Sequence, residues 1–194
     1  MAGSFLTARP LMRAGLVCAA AASLMMAGGV ASIAQTSTPV LTADEALAKL
    51  ERLDEEVAKV WTSSPLAFRS VAVVNGAEGF GDFKPRDGNR FKAGDTLMVY
   101  VEPVGFTHVP ENGRYAFALA ADLSIESDAG HIIAEGADLF LIDDSSRVQI
   151  REFYMLLSVK IPEIKAGGYK AVYQVKDMNS GKTGSFSVPF TIGE

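Results

Sequence analysis

From Leu66 to Ile192 the apolar side chains fall on every second residue, and this period of two constrains the chain more than any other feature. Val71 and Val73 alternate with Ala72 and Val74, and Leu97, Val99 and Val101 alternate with Met98, Tyr100 and Glu102. Tyr115, Phe117, Leu119, Ala121, Leu123 and Ile125 mark one face of a long strand. Residues His131 to Ile142 predict one or two strands broken near Gly136. Further faces are Phe153 to Ile161, Tyr169 to Val175 and Phe186 to Ile192, each read in steps of two. Turn chemistry separates them, as in Asp87-Gly88-Asn89, Glu111-Asn112-Gly113 and Asn179-Ser180-Gly181. About seven strands with no intervening helix predict a mainly β fold, an antiparallel two-sheet sandwich. Pro189 cannot donate to a ladder, so its strand is expected at an edge or bulged there.

One helix precedes the strands. Thr42-Ala43-Asp44-Glu45 has the capping-box pattern, in which the hydroxyl accepts the N3 amide and the glutamate reaches back. Ala46, Leu50, Leu53, Val57 and Val60 follow in steps of four and three, one narrow apolar stripe. Pro65 ends it. The stripe has two readings. It docks on the sheets or forms a stalk, or it is the seam of a homo-oligomeric coiled coil. Fewer than three full heptads are present, which favours docking or a stalk.

The N-terminus is an export signal by pattern. Arg9 and Arg13 precede an uncharged Ala-, Leu- and Met-rich stretch, Ala14 to Ala34, that ends in small residues. The organisation expected is a signal peptide over 1–34, a linker over 35–41, the helical arm over 42–64 and the sandwich over 65–194. An uncleaved signal anchoring the chain in the inner membrane is the alternative to a periplasmic or secreted product. Cleavage after Ala34 removes two of the 18 basic residues and none of the 23 acids. The remaining 160 residues carry a net charge of −7 and no cysteine, since Cys18 lies in the signal. Such a chain needs no disulfide. Its charge gives no basis for nucleic-acid binding.

The segment Phe91 to Glu102 resembles the early strand of immunoglobulin-like domains in bacterial envelope proteins. Ile161-Pro162, Gly168-Tyr169, Val175-Lys176-Asp177 and Gly181-Lys182 resemble their closing hairpin, and Phe186 to Ile192 resembles the final strand. The resemblance covers residues 66–192. It implies an immunoglobulin-like β-sandwich serving as a binding or assembly module. It transfers no functional residue. Antibody-type domains pair two cysteines around a core tryptophan, and neither feature occurs after Trp61. Tyr169 is read either as a corner tyrosine bonding the backbone or as a plain core residue.

Little in the sequence announces chemistry. Only His108 and His131 are available to a zinc site, and neither shows ligand spacing. No Gly-x-Ser-x-Gly elbow occurs. Asp177 to Gly181 reads as a hairpin turn rather than a calcium loop. No cofactor, metal ligand or catalytic residue is assigned. Asn75 to Arg90 is expected to be a mobile loop. Arg86 is expected to pin it by pairing with Glu102 or Glu152, unless those glutamates face solvent.

The functional reading is an exported, non-catalytic binding or assembly module of the cell envelope. Its partner is another envelope protein, an extracytoplasmic polymer or a second copy bound through Ala46, Leu50, Leu53, Val57 and Val60. The alternative is a carrier or enzyme with a cleft between loops 75–90 and 106–114, lined by Arg86, His108 and Glu111.

Overall fold

The computed structural model describes residues 40–193. The expected signal peptide and most of the expected linker lie outside them. Among the described residues one helix, α1 (Ala43–Ser63), precedes ten strands. They are β1 (Ala67–Gly79), β2 (Asp82–Pro85), β3 (Arg90–Phe91), β4 (Thr96–Val104), β5 (Val109–Glu111), β6 (Arg114–Ser127), β7 (Ile132–Ser146), β8 (Met155–Lys160), β9 (Gly167–Asp177) and β10 (Thr183–Ile192). No helix among these residues is long and apolar enough to cross a membrane.

The strands form two sheets. One has the order β2-β1-β4-β8. The other runs β3-β10-β9-β6, with β5 and β7 also paired to β6. Residues 119–125 of β6 pair with β9 and with β7, so those two strands flank it. The inner faces share one core. Leu97, Val99, Val101, Met155 and Leu157 come from the first sheet. Phe117, Leu119, Tyr173, Val175, Val188 and Phe190 come from the second. These are the residues that the period of two places inward.

Four expectations need correction. The strand count is ten rather than about seven, because short pairings at β2, β3 and β5 leave little apolar pattern. Asn75 to Arg90 is mostly a hairpin: β1 continues to Gly79, Gly81 takes the left-handed conformation at φ 71° and β2 returns. The segment after His131 is one strand extended to Ser146, with a bulge in place of a break. Ala121 pairs with Phe140 and Leu123 with Gly136, so Asp122 faces the extra residues 137–139. Asp138 sits there at φ 50°, and its N–H donates to Asp122 Oδ1 at 2.7 Å. Finally, Tyr100 is buried although it alternates with the inward residues of β4, and Glu102 is buried too, the first of the two placements expected for it.

Other expectations hold. The capping box of α1 forms, with both Thr42 and Glu45 bonding the opposite backbone N–H. Pro189 lies in a strand whose other side is paired only at Thr191 and Ile192, so no ladder bond is lost. Tyr169 donates its hydroxyl to the carbonyl of Lys165 at 2.9 Å, the backbone bond of a corner tyrosine.

Candidate functional site

Helix α1 is tied to the sheets at its C-terminal end. Trp61 donates Nε1–H to the Phe106 carbonyl at 2.8 Å, and its ring meets Phe106 edge-on. The last turn of the helix holds no basic residue. Lys182, from the β9–β10 turn, supplies the missing cation. Its ammonium donates to the Thr62 carbonyl at 3.0 Å and to the Gly105 carbonyl at 2.8 Å. Carbonyls at a helix end lack intrahelical donors and carry partial negative charge, so both the bond and the charge stabilise the junction. About two helical turns earlier, Arg151 pairs with Asp54.

Beyond this junction α1 is uncovered and buries no residue. Leu50 is 63% exposed and Val60 64% exposed, and Leu53 and Val57 are exposed too. At 100° per residue, the stripe is centred roughly 70° around the helix from the Trp61–Asp54 line. It therefore lies beside the contact line, not beneath it. Val57 and Val60 form one wall of an open groove whose other wall is Phe68, Arg69 and Val104. The expected docking of the helix is thus met by Trp61, with the Lys182 and Arg151 ties beside it, and the stripe itself has no intramolecular cover among the described residues.

The residues flagged from the sequence do not assemble. Arg86 pairs with neither Glu102 nor Glu152. Its guanidinium lies 4.2 Å from the Phe91 ring centre and donates to the Arg90 carbonyl. Glu102 accepts instead from the Tyr100 hydroxyl at 2.8 Å, and that oxygen accepts from Gly81 N–H at 2.7 Å. Tyr100 is sandwiched between Phe83 and Tyr154. Glu152 is exposed, as is Glu111 at the β5–β6 hairpin. His108 packs on Phe106 and Phe117 beside a small hollow that also touches Trp61 and Gln149. Burial holds the His108 imidazole below its ordinary range, and its buried Nε2 has no partner among the described residues.

The expected cleft cannot form. Loop 105–108 is bound to the β9–β10 turn, where Asp177 accepts from Thr107 N–H, Asn179 N–H and the Ser180 hydroxyl. Arg86 and Arg90 lie where Thr191 pairs with Arg90. These are opposite ends of β10, separated by roughly 27 Å of extended chain.

A shallow concavity lies on the outer face of the second sheet. Asp122, Ser124, Glu135, Gln174 and Ser185 line it, with no aromatic or cationic side chain. Lys176 bonds Asp122 and Asp138 at its margin and holds the Asp122 carboxyl below the usual range.

Sequence reasoning missed Trp61, Lys182 and Asp177 as the fasteners of the helix and turn. Trp61 is the only tryptophan and interrupts a polar helix end, which is a usable signal. Nothing local marks Lys182, whose partners lie 120 and 77 residues away.

No family model and no curated protein matches the chain. Among solved structures it is similar to a superoxide reductase (neelaredoxin) from Ignicoccus hospitalis. The identity is 12%, over 72% of this chain and 91% of that one, with a TM-score of 0.31. A likeness at that level carries no argument about activity.

Proposed function

We propose that this chain is an exported, non-catalytic assembly module of the cell envelope. It is an immunoglobulin-like β-sandwich that pairs through α1 with a second copy of itself. The observation that carries this reading is the bare apolar stripe on a helix that buries none of its own residues. Helical stability in proteins comes mostly from packing an apolar face, so a partner that covers the stripe stabilises α1.

An antiparallel pair suits the sequence best. With Leu50 set against Leu53 of the second helix, Ala46 meets Val57 and Ala43 meets Val60. Every layer is then filled, and the small alanines lie beside the groove wall, where space is least. Lys49 falls next to Glu56 of the opposing helix, which complements charge twice over. A parallel pair would instead stack alanine on alanine at one end.

Eight half-exposed Leu and Val side chains gain roughly 1 kcal/mol each on covering. Association costs at least about 4 kcal/mol. The pair is therefore weak, with a dissociation constant on the order of millimolar or weaker. Export is supported by the basic and apolar N-terminal pattern and by the absence of cysteine from residues 35–194.

Light scattering over a concentration series tests the pairing. The wild-type mass should rise toward twice the monomer. A Leu50→Glu/Leu53→Glu variant should stay monomeric with an unchanged strand spectrum. A wild-type chain that remains monomeric at every concentration refutes the reading.

A further inference from the structure

We infer that the free edge of β7 is a strand-addition site for an extended, basic segment of another polypeptide. The inference does not depend on the pairing of α1.

The edge stands out by what it lacks. β7 is 15 residues long and, among the described residues, pairs on one side only, with β6. Unpaired strand edges are templates for another chain, and proteins usually guard them with lysine or proline. The other free edges here are short or guarded. β3 is two residues long and carries Arg90, β2 carries Lys84 and Pro85, β5 carries Pro110, β8 ends in Lys160, and β10 holds Pro189 where β3 does not cover it. β7 has no lysine and no proline, and it exposes Ile132, Ile133, Leu139 and Leu141, the last 66% exposed. Its bulge at residues 137–139 interrupts the edge but leaves Phe140 to Ser146 as a continuous run.

Two further observations define the partner. The strand carries four acids, Glu135, Asp138, Asp143 and Asp144, and no base. Only Asp138 has an ion-pair partner among the described residues, Lys176. Glu135 and Asp143 pair with Ser124 and Ala118 of β6, so both lie on the outer face. Beneath the edge, a mostly apolar slot opens between the two sheets, lined by Leu123, Ile125, Ala134, Leu139 and Val159, with Glu135 and Lys160 at its walls. A strand laid along β7 would satisfy the open backbone groups and turn alternate apolar side chains toward this slot. It would set basic side chains beside Glu135 and Asp143. This is the recognition mode in which main-chain bonds supply affinity and alternate side chains supply specificity. A second copy of β7 is a poor occupant, because four acids would meet four acids.

The test uses a blocked peptide of alternating lysine and valine, about fifteen residues long, the length of β7 from Ile132 to Ser146. A glutamate–valine peptide of the same length is the control. Calorimetry and hydrogen exchange on the full mature chain should show the lysine peptide binding, with amide exchange slowed within residues 132–146. Glu135→Lys/Asp143→Lys should weaken it by about tenfold or more, and added salt should weaken it as well. Leu50→Glu/Leu53→Glu should bind it as tightly as the wild type, which separates this site from the helix. Equal binding of the two peptides, no binding of either, or protection outside residues 132–146 overturns the inference. Protection of 132–146 in the chain alone that vanishes on dilution places a second copy there and also overturns it.

Discussion

Trp61 and Phe106 make one joint from two interactions: the indole N–H bonds the Phe106 carbonyl at 2.8 Å, and the rings meet edge to face with centroids 5.1 Å apart. Residue 61 belongs to α1 and residue 106 follows β4, so this joint sets how the helix leaves the sheets. Trp61→Phe keeps most of the ring contact and loses the donor. It should cost about 1–2 kcal/mol in urea unfolding, because a partly buried carbonyl loses its partner. As the only tryptophan, Trp61 also reports its own environment. Lys182→Met removes the cation that joins Thr62 to Gly105, and should shift tryptophan emission to the red as the helix end loosens.

Gly105 sits in the same joint at φ 80°, and a Cβ there would strike the Pro65 carbonyl. Gly105→Ala therefore meets both backbone strain and a clash with main chain. It should destabilise the fold by about 2–3 kcal/mol, read as a lower urea midpoint. Gly113→Ala makes a useful comparison. It shares a positive φ of 74° but has open space around it, so its loss should be smaller, about 1 kcal/mol.

The Tyr100–Glu102 bond predicts a specific coupling. Tyr100→Phe leaves Gly81 N–H without its acceptor and the buried carboxylate of Glu102 without its donor, and should cost about 1–3 kcal/mol. Glu102→Gln should cost less, since the amide oxygen still accepts. A double-mutant cycle should show coupling of about 1 kcal/mol between residues 100 and 102. Arg86→Met and Glu102→Gln should be additive within roughly 0.3 kcal/mol.

His108 predicts a pH dependence. Burial favours its neutral form, so the folded state holds the proton less well than the unfolded chain, whose imidazole titrates near 6.5. The unfolded state then binds more protons over that window, and stability rises with pH. The contribution is fully present above about pH 6.5 and declines as the pH falls below it. Urea midpoints between pH 8 and pH 5 should fall for the wild type. The fall should be shallower in His108→Gln, and an identical slope in both chains would exclude this assignment.

The inner faces of β4, β6, β8, β9 and β10 were legible in the sequence, while β7 showed no clear face. Leu97, Val99 and Val101 are inward because a pleat sends alternate side chains to opposite faces, and an apolar period of two has no other use. The Thr42–Glu45 cap and the stop at Pro65 were legible for the same reason, since each rests on neighbours within a few residues. Glu102 shows where such reading ends. Its alternation marks it as outward, which is correct for β4, yet the β1–β2 hairpin and Tyr154 fold over that face and bury it. Arg86 was credited with a carboxylate partner because charge alone suggests one, while the fold offers it the face of Phe91.

Local order along the chain thus determined what each segment becomes: one capped amphipathic helix, then strands with one apolar face each. These outcomes depend on backbone geometry and on side chains only a few positions apart. Tertiary structure alone decided which surfaces stay uncovered. The bare stripe of α1, the opposite placement of Arg86 and His108 along β10, and the unguarded edge of β7 all follow from sheet order and register. Those are set by pairings between residues tens of positions apart, for which no short stretch of sequence carries the information.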